Sequence, residues 1–155
     1  MPRNTGDAIE RRNSEASRLL NEYRATLQNN DYLISGLEVM QKIPEPTISQ
    51  RARMKELEEQ LIPEGIQREK DLGAKIRPLI ESLQRDGSIV GVKRRAVIEL
   101  RYLNLLGWDQ VTEALYSDHW EDLTIKEKSK YRRMIFRYHA AALDQLDEIL
   151  RSGSR

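Results

Sequence analysis

A chain of 155 residues has room for one domain, or for a small domain with a helical extension. One third of its residues are charged and phenylalanine occurs once, which favours exposed helices over a large core. The absence of cysteine excludes disulfides, thiolate catalysis and zinc fingers, and no apolar run approaches a membrane span or a signal-peptide core, so a cytosolic protein with no membrane partner is expected.

The net charge of +1 does not separate a nucleic-acid binder from any other class, so charge has to be read by position. Residues 1–88 carry 14 basic and 15 acidic side chains, and residues 89–155 carry 12 and 10. Neither half is basic as a whole.

Met1 to Gly6 are polar and are expected to fray. From Asp7 to Lys42, Ile9, Asn13, Ala16, Leu20, Tyr23, Leu27, Asn30, Ile34, Leu37 and Gln41 follow at alternating steps of four and three. This heptad-like seam predicts a long helix packed along its length, with Leu20, Tyr23, Leu27, Ile34 and Leu37 as the expected oligomerisation contacts. Asn13 and Asn30 interrupt the seam. A buried seam asparagine can fix register; equally, the seam can drift at those positions.

Pro44 and Pro46 end this helix, and Thr47 or Ser49 caps the next. That second stretch runs to about Gln84, with Met54, Leu57, Leu61, Leu72, Ile76, Leu79 and Leu83 as its apolar side. Pro63 and Pro78 lie inside it and should kink or break it locally. Two stretches of similar length joined by a short connection predict an antiparallel hairpin over residues 7–86. Arg85-Asp86-Gly87-Ser88 reads as a turn and as the domain boundary.

Beyond it, Val92 to Leu106 reads as a helix with Ala96, Val97, Leu100 and Leu103 inward. Gly107 is suited to ending it, and a shorter helix, Trp108 to Tyr116, turns Trp108, Val111 and Leu115 to one side. A polar connection, Ser117 to Asp122, comes next; Trp120 within it reads as a hydrophobic plug or as a base-stacking ring.

The last helix opens on Thr124-Ile125-Lys126-Glu127, a capping box. Its apolar stripe is Tyr131, Ile135, Tyr138, Ala142, Leu146 and Ile149. Lys126, Lys130, Arg133 and Arg137 keep the same rhythm on another face. From Thr124 to His139 six Lys or Arg face one Glu, whereas Asp144, Asp147 and Glu148 occupy the far end. A cationic first half and an acidic second half suggest that only the first half meets a polyanion. Helix, break, short helix, connection and long basic helix make the outline of a helix-turn-helix module over residues 89–150. A solvated face of a three-helix bundle is the plainer reading of the same stripe.

The two histidines, His119 and His139, stand twenty residues apart, and neither a metal-binding pair, a phosphate loop nor a nucleophile motif is present. The sequence offers no enzyme, metal site or cofactor site.

Ile98-Glu99-Leu100-Arg101-Tyr102-Leu103, then Gly107-Trp108-Asp109-Gln110-Val111-Thr112-Glu113-Ala114-Leu115, then Phe136-Arg137-Tyr138-His139-Ala140-Ala141-Ala142-Leu143 together resemble small phage and prophage regulators. These are the sigma-70 region-4-like proteins related to RinA and ArpU, regulators of phage late transcription. The resemblance covers nearly the whole chain, and the order and spacing of the motifs carry it more than any one motif does. One departure is the long, acidic connection between Tyr116 and Lys130.

The resemblance implies an all-α fold, a long coiled-coil-like N-terminal hairpin followed by a C-terminal helix-turn-helix bundle. It also implies a sequence-specific transcriptional regulator that binds double-stranded DNA in a bacterial host cell, at the nucleoid, and contacts host RNA polymerase. On that reading Lys126, Lys128, Lys130 and Arg132 meet phosphates and Arg133 and Arg137 reach base edges, while His139, at the end of the stripe, either touches a phosphate or caps the edge of the bundle. A homodimer would read two half-sites through the N-terminal seam. A phage DNA-packaging subunit of the small-terminase kind and a coiled-coil adaptor that ignores DNA are the other two readings.

Overall fold

The computed structural model describes residues 14–153, and of Ser117, Asp118 and His119 the backbone alone. The seam positions Ile9 and Asn13 lie outside the described residues. Within them the chain is helical throughout, without a strand. Its elements are α1 (Glu15–Gln41), α2 (Ile48–Glu56), a π-helical turn (Leu57–Leu61), α3 (Ile62–Ser82), α4 (Ile89–Ile98), a second π-helical turn (Glu99–Leu103), α5 (Trp108–Leu115), a 3-10 segment (Ser117–Asp122) and α6 (Ile125–Gly153). No helix among them is long and apolar enough to cross a membrane.

The starts of the helices are set by local chemistry. Ser14 accepts from Ser17 N–H at α1 and Ser88 from Gly91 N–H at α4, while Thr47 and Gln50 cap α2 reciprocally. Asp147, far along the chain on α6, accepts the N–H of Ala16 at 3.0 Å. A carboxylate there satisfies an orphan donor and meets the positive end of the α1 dipole. Part of the acidity at the end of α6 therefore has a structural use.

Pro63 does not break the second stretch. Ile62 N–H bonds five residues back to Leu57 carbonyl, so the helix widens into a π turn just ahead of the proline and then continues as α3. A proline lacks the N–H and crowds the carbonyl four residues before it. The wider turn absorbs that misfit without ending the helix. Pro78 is accommodated inside α3, which runs on to Ser82.

Arg68 reaches Glu22, Asn30 reaches the Gly65 carbonyl, and Gln41 reaches Glu58. Partner numbers fall along the second stretch as they rise along α1, so the two run antiparallel. The principal core combines Ala16, Leu20 and Tyr23 of α1, Leu72, Ile76 and Ile80 of α3, the adjoining Leu83, Ile98 and Tyr102, and Ala142, Leu143 and Leu146 of α6. Residues before and after the Gly87 turn thus share one core. A smaller cluster of Val97, Val111 and Ile135 joins α4, α5 and α6.

The turn between α4 and α5 departs from expectation. Gly107 has φ −70° and opens α5, its N–H bonded to Gln110 Oε1 at 2.8 Å. The left-handed residue that closes the preceding helix is Leu105, at φ 61°. Leu106 N–H returns to the Leu100 carbonyl at 3.1 Å, six residues back and one more than in a Schellman end, as the π turn before it adds a residue. Arg24 of α1 donates to the carbonyls of Arg101 and Leu105, at 3.0 and 3.4 Å, and so fastens the turn from outside.

Candidate nucleic-acid interface

The long basic helix begins where its sequence says it should. Thr124 Oγ1 accepts from Glu127 N–H at 3.1 Å, and Glu127 Oε1 accepts from Thr124 N–H at 3.2 Å. From that start the 3.6-residue repeat separates two faces. Ile135, Ala142 and Leu146 are buried on one, with Tyr131, Tyr138 and Ile149 half-buried beside them. Lys126, Lys130, Arg133 and Arg137 are exposed on the opposite one.

Helix α5 crosses α6 on its buried side. Val111 packs with Ile135, Tyr116 stacks on Tyr131 at 4.5 Å, and Trp108 meets His139 at 4.7 Å. The basic stripe is therefore left uncovered. Among the described residues, none pairs with Lys126, Lys130, Arg133 or Arg137.

The first residue of the stripe is unfavourably placed for the helix itself. Lys126 stands in the first turn of α6, where the unpaired N–H groups already make the helix end positive. Only Glu127 offsets it in that turn. Of the four, Lys126 alone stands where the helix dipole disfavours a cation, and among the described residues none of the four has a carboxylate partner.

The other three residues expected at the interface have partners within the chain. Arg132 Nε bonds Asp109 Oδ1 at 2.6 Å, tying α6 to the first turn of α5. Lys128 lies with its ammonium 5.4 Å from the centre of the half-buried Trp120 ring. His139 Nε2 is 2.7 Å from the Tyr102 hydroxyl, its ring stacked on that of Tyr102 and edge-on to Trp108. His139 belongs to the packing between the Glu99–Leu103 turn, α5 and α6. Burial pushes the Tyr102 hydroxyl up to about 12.

Two residues of this surface escaped the reading of the sequence. Asp109 became visible only as the partner of Arg132. Phe136 is 45% exposed, beside the basic stripe, its ring edge-on to Trp108 at 5.1 Å. A signal for it existed: the only phenylalanine of the chain falls between the apolar and basic rhythms, with Arg132, Arg133 and Arg137 around it.

The five seam residues are placed unequally. Leu20 and Tyr23 are buried in the chain's own core, and Leu27 packs partly against it. Leu37 is half-buried and Ile34 exposed, toward the far end of α1. Asn30 is buried at 3% exposure and donates to the Gly65 carbonyl at 2.9 Å and to Glu69 Oε1 at 3.2 Å. Asn30 therefore stays within the seam, and its partners lie on α3 of the same chain.

Comparison with protein-family models, with curated proteins and with solved structures finds no match. The geometry stands alone. Among the described residues no three His, Asp or Glu side chains gather as a metal site would require.

Proposed function

We propose that this chain is a DNA-binding transcriptional regulator of the phage type, a binding protein and not an enzyme, whose α4, α5 and first half of α6 act as a helix-turn-helix. The observation that carries the reading is the uncovered stripe of Lys126, Lys130, Arg133 and Arg137 on α6, opposite the face that α5 occupies. A single helix with one free cationic face fits the major groove of duplex DNA, about 12 Å wide. Lys126 and Lys130 serve the phosphates, and Arg133 and Arg137, one turn apart, serve base edges. Lys128, Arg132 and His139 shape the surface from within the fold. Host RNA polymerase remains a proposed partner through the acidic connection around Glu121, and the half-sites of an operator would call for two copies of the chain. The far end of α1, with Tyr32, Ile34 and Val39 exposed, is the proposed place for their contact.

The adaptor reading is the weaker one, because Leu20 and Tyr23 already have partners inside the chain and so leave less apolar seam for another coil. Titration of a fluorescent random-sequence duplex against salt tests the proposal. On a random duplex, which offers Arg133 and Arg137 no preferred base, all four cations rest on phosphates, so log affinity should fall against log salt with a slope of about −3 to −4, reduced by about one in Lys126→Ala. Binding that ignores salt, or no binding at low salt, would overturn it.

A further inference from the structure

We infer that Phe136 is a specificity residue that reads the C5-methyl group of thymine in the major groove. The inference rests on the DNA-binding reading above and adds to it a base preference.

Three observations lead there. Phe136 leaves 45% of its surface exposed although it stands one position from the fully buried Ile135. Single exposed apolar residues are common, and Ile125 at the start of the helix is 85% exposed; what sets Phe136 apart is its surroundings. Its neighbours on the surface are cationic: Arg133 and Arg137, both exposed, on one side, and Arg132 on the other. Finally, the ring has a backstop. Trp108 meets it edge-on at 5.1 Å, and Trp108 is itself held by the Arg101 guanidinium at 4.6 Å and by His139 at 4.7 Å. His139 in turn is bonded to Tyr102 in the core. The side chain is thus an apolar probe braced from behind, which lowers the ordering cost of making a contact.

An apolar probe flanked by arginines narrows the choice of target. The floor of the major groove presents hydrogen-bonding groups at every base pair and one apolar group, the thymine methyl. Arginine forks prefer guanine O6 and N7, so Arg133 and Arg137 cannot read that methyl. Wedge insertion between base steps is a minor-groove device, and a helix of full width fits the major groove instead. The surface therefore suits a site in which guanine lies next to thymine.

The test uses the full chain and a duplex enriched by it from a random library. Thymine is then replaced by deoxyuridine, first throughout and then one position at a time, which removes the methyl and keeps every hydrogen-bonding group. The expected result for the natural chain is a loss of about fourfold in affinity at one or two positions, the scale of a single buried methyl. Phe136→Ala should bind the thymine and deoxyuridine duplexes alike, while Phe136→Leu should keep part of the preference. Affinity for random duplex should not change in either variant, and unchanged circular-dichroism melting would show that both remain folded. Indifference of the natural chain to deoxyuridine at every position overturns the role of Phe136 and leaves DNA binding intact. So does a methyl preference that survives in Phe136→Ala. Failure to enrich or bind any duplex overturns both readings together.

Discussion

Gly91 shows how closely the chain is packed at its central corner. A Cβ added there would stand 2.6 Å from the Leu83 carbonyl oxygen and 3.0 Å from Asp86 Oδ1. The carbonyl is backbone and cannot swing aside, so Gly91→Ala should lower stability by about 1–3 kcal/mol, measured by urea denaturation. Asp86 holds the same corner, accepting from the Ser88 backbone and hydroxyl, and these bonds keep its carboxyl below the usual range. Tyr102 gives a pH signature. Its hydroxyl loses a proton near 10 when unfolded and near 12 when buried, so the folded chain holds the proton more tightly. That stability is intact below pH of about 10 and is lost as pH rises toward about 12, to the extent of about 2–3 kcal/mol. Tyr102→Phe should be less stable at neutral pH, through loss of the His139 hydrogen bond, and should lack that part of the alkaline slope. Parallel denaturation curves at pH 9 to 12 for the two proteins would reveal the difference; identical slopes would contradict it.

At the scale of the element, α6 has two tasks along its 29 residues. Its second half fills the principal core with Ala142, Leu143 and Leu146, and its first half turns a bare cationic face outward. The packing of the helix and its exposed cationic face are thus carried by different positions, and the exposed ones can change without disturbing Ile135 or the principal core. Arg137→Lys tests that division. Lysine retains the charge and loses the planar fork, so affinity for random duplex should hold while the preferred site loses about 1–3 kcal/mol. An unchanged ratio of specific to random binding would move base reading elsewhere on the helix. The π turns at Leu57–Leu61 and Glu99–Leu103 have a related effect. Each adds a residue to one turn, and so rotates the residues C-terminal to it relative to a plain α repeat.

For the whole molecule, the consequence of the shared core is cooperativity across the Gly87 turn. Leu20, 2% exposed, lies with Ile76, Tyr102 and Leu146 from three other segments. Leu20→Asp would place a carboxylate among them, and should cost about 3–5 kcal/mol and unfold or loosen the entire chain. Substituting Ile34 at the exposed end of α1 should leave the melting temperature almost unchanged and affect self-association alone. Light scattering beside thermal melting separates the two outcomes. Melting of the Leu20→Asp protein in two widely separated steps would show that the segments fold independently.

Sequence by itself determined the local features. The cap at Thr124, the choice of caps at Thr47 or Ser49, and the opposed apolar and basic faces of α6 are relations between residues three, four or seven apart, and a helix encodes those within two turns. Only the tertiary structure decided the partnerships between distant residues. Arg132 found Asp109 twenty-three positions away, His139 found Tyr102 thirty-seven away, and Asp147 found the start of α1 at a separation of 131. The inward turn of Ile98 and Tyr102, the left-handed Leu105 in place of Gly107, and the enclosure of Leu20 and Tyr23 inside their own chain belong to the same class. Periodicity shows which face of a helix is apolar or charged, but which element covers that face depends on how several helices pack at once, and no local spacing records that choice.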